Sequence, residues 1–474
     1  MARQVLSLDE LAEGGVSRLL FKYSWPSLVA MTLNALYCVV DRAFIGHGCG
    51  VDAIAGMQLA MPVMMFFGAF GVFIGAGHSS ILSIKLGEGD MLSCEKILGE
   101  LVAFKLLFFL VLPPIVFFNL DAVLGLCGAE KVTTEALAAA REYLRLVIFS
   151  HVFSHLAFGL SAMQRAEGGA IRSMMCMVAG FVVNLILDPL FIFVFEMGVS
   201  GAAWATNIAM FVSCMWAFSY YLRGMTAVRL RLCRIGFYRK YFLRAAAVGA
   251  SPFLQQLMSS VIVASLQVSF ARWMPTAESR TAEIASVGVF TNALIFVLMP
   301  ILGAQQGLQP ILGYNWGARN FRRVHDALVK GLTVTAVLTF CAFVVQFVQP
   351  FPTWIASIFI PASDSETLDI AVRDLRLANS MIWTIFVNVT ATTYFQSIGR
   401  PKIAIVLSMS RQGLIMLPII WILPYFMEDK SFAIWLSMPI SDVVCNALTI
   451  LPLFLHLRFL RRASMLVAAC RWRS

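Results

Sequence analysis

Charged residues are scarce in this 474-residue chain: Asp, Glu, Lys and Arg make up 13% of it, whereas 59% of the residues are hydrophobic. A water-soluble protein of this length could not cover its surface with so few charges. The hydrophobic residues form long continuous runs, unlike the short alternating segments of a membrane β-barrel. The sequence therefore predicts an all-α integral membrane protein with many helical spans.

Several other signals are missing. The ten cysteines include no CxxC pair and no metal-ligand spacing, so they indicate neither a disulfide framework nor a zinc site. The motifs HExxH and GxSxG are absent, which argues against a membrane-embedded enzyme. The net charge is +10, but the basic residues lie in short loops between apolar runs. That is the positive-inside pattern of a membrane protein rather than a nucleic-acid surface.

We predict twelve spans, at 18–46, 55–84, 95–119, 136–163, 169–195, 199–222, 241–272, 283–313, 322–348, 370–398, 401–426 and 431–458. The connection 223–240 between spans 6 and 7 and the tail 461–474 are both basic, and neither contains an acidic residue. Both termini are therefore expected in the cytoplasm. Residues 1–17 contain three acids and no cleavable apolar region, so we expect a cytoplasmic lead-in.

The chain repeats itself after six spans. Gly77–Gly87 closes span 2 and Gly307–Gly317 closes span 8, whereas the turns at Gly168 and Gly399 lead into spans 5 and 11. A six-span shift preserves direction, which predicts two pseudo-symmetric lobes, typical of secondary transporters. We expect an N-lobe at 18–222, a linker at 223–240 and a C-lobe at 241–460.

Two apolar runs carry a carboxylate at a similar depth. A helix rises about 1.5 Å per residue, so Asp41 lies roughly 30 Å along span 1 and Asp188 roughly 28 Å along span 5. Thr206 lies about 10 Å into span 6 from the opposite side, in the same layer. An aspartate at the bilayer centre costs about 2.5–3.5 kcal/mol and is a functional-site hypothesis by default. We therefore predict one charged site built by spans 1, 5 and 6.

Residues spaced by four add neighbours on the same helix faces: Tyr37 with Asp41, Asn184 with Asp188, and Thr206 with Met210. Two buried carboxyls can share a proton, because two like charges oppose each other. The same oxygens can instead hold Na⁺, a hard cation that favours oxygen ligands. The structural alternative is that Asp188 only caps a helix end before Pro189 and Asp41 reaches outward beside Arg42.

Other polar side chains also lie in the apolar runs. Arg411 is about 15 Å into span 11 and Asp442 about 16 Å into span 12 from the other side, so they can meet. We interpret them as a structural ion pair, with a substrate or second coupling site as the alternative. His151 and His155 are read as a core pair with satisfied hydrogen bonds, the alternatives being a proton relay or a metal site. Lys105 is expected to reach the inner membrane surface.

Three of these features make the chain resemble the MATE (multidrug and toxic compound extrusion) family of the MOP flippase superfamily, and most closely its DinF-type branch. They are Asp41, the run Asn184-x-x-x-Asp188-Pro189-x-Phe191-Ile192, and the run Gly198-Val-Ser-Gly-Ala-Ala-Trp-Ala-Thr206. The likeness covers nearly all of residues 15–460. It implies two six-helix lobes in a V around a central cavity.

The resemblance also implies a role, which is export of organic cations or other amphipathic compounds in exchange for H⁺ or Na⁺. Asp41, Asn184, Asp188 and Thr206 would form the cation-responsive network, with Tyr37 and Met210 beside it, and Pro26 matches a proline at which the first helix is proposed to bend. The expected partners are the lipid bilayer and small organic cations. We expect no cofactor besides the coupling ion, no nucleic acid, and a monomer in a bacterial inner membrane.

The C-lobe departs from a second branch, similar to NorM, that places acids on spans 7 and 10. Here span 7 offers Gln255 and other glutamines, and span 10 offers Asn388 and Thr392, without a carboxylate in the apolar part. We therefore expect coupling through the N-lobe alone, with Gln255 and Asn388 as candidate cavity residues.

Two rival transport functions remain. A lipid-linked oligosaccharide flippase of related fold would show more spans and a basic cavity for pyrophosphate, whereas these apolar runs carry mainly acids and neutral polar residues apart from Arg411. A channel fits less well, because the two-lobed repeat suits alternating access. The leading hypothesis is a secondary antiporter.

Overall fold

The computed structural model describes residues 9–49, 51–127, 133–360 and 365–471. Within these ranges, all twelve predicted spans are helical and no β-strand is present. Nine of the described helices are long and apolar enough to cross a membrane, and a bent pair in span 4 makes a tenth candidate. The predicted class, an all-α multi-pass membrane protein, is confirmed.

Eight spans are single helices: Val16–Cys49, Val51–Gly87, Met91–Phe118, Gly198–Leu222, Arg239–Trp273, Ala277–Gly317, Phe321–Phe347 and Lys430–Arg471. They are spans 1, 2, 3, 6, 7, 8, 9 and 12 in that order. The last helix continues past the predicted end of span 12 at residue 458 and takes in most of the predicted tail.

The other four spans are interrupted. Span 4 comprises Thr134–Val147 and His151–Ala166, which meet at an angle of 56°. Span 10 comprises Ser365–Ala378 and Phe386–Ser397. Spans 5 and 11 contain π-helical turns: Ala170–Pro189 continues as Leu190–Val194, and Pro401–Met409 continues as Ser410–Met416 and Leu417–Ile422. Such turns inside α-helices frequently mark functional sites, and these two lie beside Asp188 and around Arg411.

The repeat is visible in the turns that join the spans. Asp90 caps span 3 by accepting a backbone N–H at 3.1 Å, and Asn320 caps span 9 in the same way at 3.4 Å. Gly168 and Gly399 both have positive φ angles, 94° and 70°. A side chain would strain the backbone at either glycine, so the sequence repeat corresponds to repeated turn geometry.

The chain divides into two compact units, residues 1–249 and 250–474. In the first unit, buried apolar side chains around Phe67 and Tyr143 form the largest described cluster. In the second, Trp435 lies at the centre of a cluster, with ring centroids 5.4 Å from Phe270 and 5.5 Å from Phe290. Each unit thus has its own apolar core.

The basic connection between spans 6 and 7 is docked on the first unit. Glu95 of span 3 forms ion pairs with Arg231, at 3.2 Å, and with Arg234. Glu100, which is fully buried, accepts the backbone N–H of Tyr238 at 2.7 Å. Glu95 therefore pairs with two arginines, and Glu100 anchors the backbone, of a segment that the sequence alone presents as a free basic loop.

A third acid anchors the same connection. The carboxylate of Glu167, in the turn between spans 4 and 5, accepts the Tyr221 hydroxyl at 3.0 Å and the Val228 N–H at 3.1 Å. Burial raises the pKa of the Glu167 carboxyl to about 7, although these two hydrogen bonds oppose the shift. Burial therefore favours the protonated form of this anchor.

Replacing Glu167 should change how stability depends on pH. Between the ordinary glutamate pKa of about 4.3 and the folded value near 7, the folded protein binds the extra proton, so this contribution to stability falls as pH rises. We expect Glu167→Gln to flatten the pH dependence of the thermal midpoint in that window. Glu135→Gln, at an exposed carboxylate, should leave it unchanged. A Glu167→Gln protein with the wild-type slope would refute the prediction.

Span 2 and the beginning of span 7 approach backbone to backbone inside the first unit. A Cβ on Gly77 would overlap the carbonyl oxygen of Ala245, and a Cβ on Gly249 would overlap that of Phe73. We expect Gly77→Val to lower the free energy of unfolding by about 1–3 kcal/mol through overpacking. Thermal unfolding in detergent measures the loss. Gly68→Val, on the same helix in open space, is the control, and equal midpoints for the two variants would contradict the prediction.

Candidate functional site

The two carboxyls predicted to share a site are in contact. Asp188 is fully buried and Asp41 is 8% exposed. Oδ1 of Asp188 accepts a hydrogen bond from Nδ2 of Asn184 at 3.0 Å, and its carboxyl lies within hydrogen-bonding reach of the Asp41 carboxyl. Two charged carboxylates in contact inside a protein repel each other strongly, and one shared proton removes that repulsion. The geometry therefore suits proton binding and release.

The local sequence explains why span 5 presents Asp188 at this point. Pro189 follows it and has no N–H to continue the helical ladder. The backbone then winds into the π-helical turn Leu190–Val194. Ile192 of this turn is buried against Ile45 and Ala202, so the irregular turn is packed between spans 1 and 6 beside the carboxyls.

Span 6 approaches span 5 closely at small residues. A Cβ on Gly180 would overlap the Ser213 hydroxyl, and the Cys176 thiol donates to the Ser213 carbonyl at 3.1 Å. Because the two helices are antiparallel neighbours, this register places Thr206 at the level of the turn from Asn184 to Asp188. Thr206 is 2% exposed. Spans 1, 5 and 6 thus bring all four predicted coupling residues into one buried layer.

The neighbours predicted for this site have different surroundings. The side chain of Tyr37 lies outside the described residues. Met210 packs against the apolar cluster of the first unit, with its sulfur 3.8 Å from the Ser150 hydroxyl. Pro26 lies inside the continuous helix Val16–Cys49, so span 1 is unbroken at its predicted hinge in this conformation.

The two cavity candidates of the C-lobe also differ. Gln255 is half-buried, and its backbone carbonyl accepts the Ser259 hydroxyl at 3.0 Å. Asn388 is 6% exposed, and its amide donates to the Leu407 carbonyl and the Thr449 hydroxyl, each at 3.1 Å. Asn388 therefore connects spans 10, 11 and 12 through hydrogen bonds inside the second unit.

Arg411 and Asp442 meet as the depth calculation predicts. Nε of Arg411 lies 2.6 Å from Oδ1 of Asp442, and the Ser441 hydroxyl donates to the Arg411 carbonyl at 2.5 Å. Both charged side chains are largely buried, at 19% and 2% exposed. The contact joins the π-helical turn of span 11 to the middle of span 12.

The prediction that Lys105 reaches the membrane surface is wrong. Lys105 is 1% exposed, and its ammonium group donates to the His155 carbonyl at 2.5 Å and the Gly71 carbonyl at 3.4 Å. Lys105 can be buried because residue 159 is a glycine: a Cβ at that position would overlap the lysine side chain. A glycine in span 4 thus leaves room for the lysine inside the first unit.

The two histidines of span 4 are core residues, but the expectation of satisfied hydrogen bonds fails for one of them. His151 is stacked on Phe67 and its Nε2 lies 3.1 Å from the Met64 sulfur. His155 is stacked on Phe108, and within the described ranges neither of its ring nitrogens has a hydrogen-bond partner. Among the described residues, no group of three His, Cys, Asp or Glu side chains could hold a metal ion.

Sequence reasoning missed a second pair of buried acids. Glu283 is near the beginning of span 8 and Asp374 is in the first helix of span 10, at 4% and 1% exposed. Asp374 lies in the charged first helix of span 10, outside the apolar part of the span to which the prediction refers. The available signal was the adjacent charged pair Arg373–Asp374 inside a predicted span.

Comparison with known proteins gives the family. The MatE family model matches residues 26–190 and 249–422, well over half of the chain. The multidrug export protein MepA of Staphylococcus saprophyticus is 23% identical over 433 residues, covering 91% of this chain and 92% of the relative. MepA of Staphylococcus aureus strain MSSA476 is 24% identical over 445 residues, covering 93% and 94%.

Solved structures agree on the fold. The outward-facing conformation of a multidrug resistance MATE family transporter of the MOP superfamily has a TM-score of 0.87 at 21% identity, covering 96% of this chain and 98% of that chain. A MATE crystal structure in complex with MaL6 also has a TM-score of 0.87, at 20% identity, covering 96% and 99%. With the MatE model matched along both halves, the chain belongs to the MatE family of transporters.

Proposed function

We propose that the protein is a secondary antiporter that exports organic cations or other amphipathic compounds in exchange for protons. The observation that carries the proposal is the buried contact between the Asp41 and Asp188 carboxyls. The names of the relatives support the substrate class, since both MepA proteins are multidrug exporters. A proton is favoured over Na⁺ because one proton shared between the two touching carboxyls removes the repulsion between their charges.

The proposed transport cycle follows from the charge of the Asp41–Asp188 pair. With the site open to the exterior, a proton binds the pair and neutralises one carboxylate, which removes the attraction for a cationic substrate and releases it outside. Spans 1, 5 and 6 then repack around the singly protonated pair. The proton leaves toward the cytoplasm on the return, driven by about 2.3 kcal/mol per charge per 100 mV of membrane potential in addition to the pH gradient.

The membrane arrangement is part of the proposal. The arginine-rich connection between spans 6 and 7 and the basic tail put both termini in the cytoplasm of a bacterial cell, with the protein in its cytoplasmic membrane. On this arrangement Glu95, Glu100 and Glu167 lie at the cytoplasmic face, where they hold the basic connection. We propose that the monomer is the transporting unit.

Ethidium efflux from proteoliposomes tests the proposal. We expect efflux when a pH gradient alone is imposed, and none with a Na⁺ gradient alone at equal pH. Efflux with the Na⁺ gradient only would reassign the coupling ion. Absence of efflux under both gradients would overturn export of organic cations by ion exchange.

A further inference from the structure

The second unit contains a polar cluster where spans 8, 10 and 12 begin. Its members are Glu283 of span 8, Arg373 and Asp374 of span 10, and Ser431 and Trp435 of span 12. Glu283 accepts the Ser431 hydroxyl at 2.5 Å and the Trp435 indole N–H at 3.0 Å. Three spans are therefore connected through one carboxylate that is 4% exposed.

The cluster contains more negative than positive charge. Nη2 of Arg373 lies 2.8 Å from Oδ1 of Asp374 and 3.3 Å from Oε1 of Glu283, so one guanidinium serves two carboxylates. The two carboxyls lie within hydrogen-bonding reach of each other. In the described part of the chain, Oδ2 of Asp374 is buried and receives no hydrogen bond from a nitrogen or hydroxyl donor. One buried negative charge is left over.

The other charged residues described near the cluster do not neutralise this remaining negative charge. Lys430 donates to the carbonyls of Pro424 and Met427, at 2.9 Å and 2.8 Å. Arg376 lies over the Phe347 ring, with 5.0 Å to its centroid, and Arg280 donates to the Met274 carbonyl at 3.1 Å. Asp429, whose field also acts on Arg373, adds a further negative charge.

We propose that Glu283 and Asp374 form a second proton-binding site, in which the two carboxyls share one proton beside Arg373. A proton fits better than a metal cation, because Arg373 already occupies the position between the carboxyls that a cation would take. The side chain of Arg373 is 50% exposed, whereas those of the acids are almost fully buried. Arg373 is therefore the exposed member of the cluster, in contact with both buried acids.

Loss of this proton has a structural consequence. It leaves two charged carboxylates in contact where spans 8, 10 and 12 meet, so stability should fall as pH rises. The site lies wholly in residues 250–474, whereas Asp41 and Asp188 lie in the first unit. The inference is therefore independent of the proposed antiport, and either can fail without the other.

Infrared spectroscopy of the full-length protein in liposomes tests the site directly. We expect the carbonyl stretch of a protonated carboxyl at neutral pH, and a decrease of that band in both Asp374→Asn and Glu283→Gln, because Arg373 then neutralises the remaining acid. Asp369→Asn, an exposed acid on the same helix as Asp374, should leave the band unchanged. An undiminished band in both test variants would overturn the proposal.

Thermal unfolding in detergent provides a second readout. Between pH about 5 and about 9, we expect the wild-type midpoint to fall by about 2–4 °C more than that of Asp374→Asn. If Asp374→Asn does not fold, we expect the same difference in the thermal midpoint between wild type and Glu283→Gln. Equal pH slopes in wild type and variant would overturn the proposal, because a purely structural cluster neutralised by Arg373 would bind no proton.

Discussion

Asp188→Asn is expected to abolish the coupling of substrate export to the proton gradient. The asparagine keeps the shape of the side chain and can still contact Asn184, but it can neither lose a proton nor become charged. Coupling free energies are typically about 1–3 kcal/mol, so gradient-driven efflux should slow by roughly 5–150-fold. Efflux from proteoliposomes, normalised to the amount of folded protein, gives the ratio.

Asp41→Asn should have the same effect, because it removes the other carboxyl of the same contact. Two losses of similar size, with no further loss in the double variant, would indicate that the carboxyls act as one proton site. Glu135→Gln, at an exposed carboxylate of the same unit, is the matched control. Wild-type export by either aspartate variant would contradict a coupling role for the pair.

The second large effect concerns Arg411 and Asp442. Removing either partner leaves a buried charge without its counter-ion, which typically costs about 3–5 kcal/mol. We expect Asp442→Asn and Arg411→Met each to lose most of their folded protein. Size-exclusion chromatography of heated, detergent-solubilised protein, followed by the fraction that stays monodisperse, measures this loss.

A double variant distinguishes a structural role of the Arg411–Asp442 pair from a role in transport. Arg411→Met with Asp442→Leu removes both charges and fills the space with apolar side chains, and such replacements are often neutral or stabilising. A purely structural pair predicts that the double variant folds and transports normally. A double variant that folds but does not transport would instead assign the pair to the transport cycle.

Much of the architecture could be predicted because a membrane imposes simple rules. The hydrophobic runs set the spans, and the glycines at 168 and 399 mark equivalent turns. The rise per residue of an ideal helix predicted that Asp41 lies at the depth of Asp188, and that Arg411 lies at the depth of Asp442. This calculation works because each backbone group inside a bilayer is satisfied within its own helix, so rise per residue is nearly constant.

The misses share a physical cause, which is that side-chain environment depends on packing between helices. Lys105 is buried because Gly159, distant in sequence, leaves space for it. The break between Thr134–Val147 and His151–Ala166 contains no proline or glycine to announce it. Glu283 and Asp374 were overlooked because each lies near the beginning of a span, where charge is ordinary, and only tertiary structure brings them together.

Proton release on substrate binding is the most direct test of the central claim, that substrate and proton compete through the Asp41–Asp188 pair. Ethidium would be added to purified protein in weakly buffered detergent solution while a pH electrode records the medium. We expect wild-type protein to release protons in proportion to the substrate bound, and Asp188→Asn to bind ethidium without releasing any. Binding of ethidium by wild-type protein with no proton release, or equal release by the variant, would contradict the mechanism.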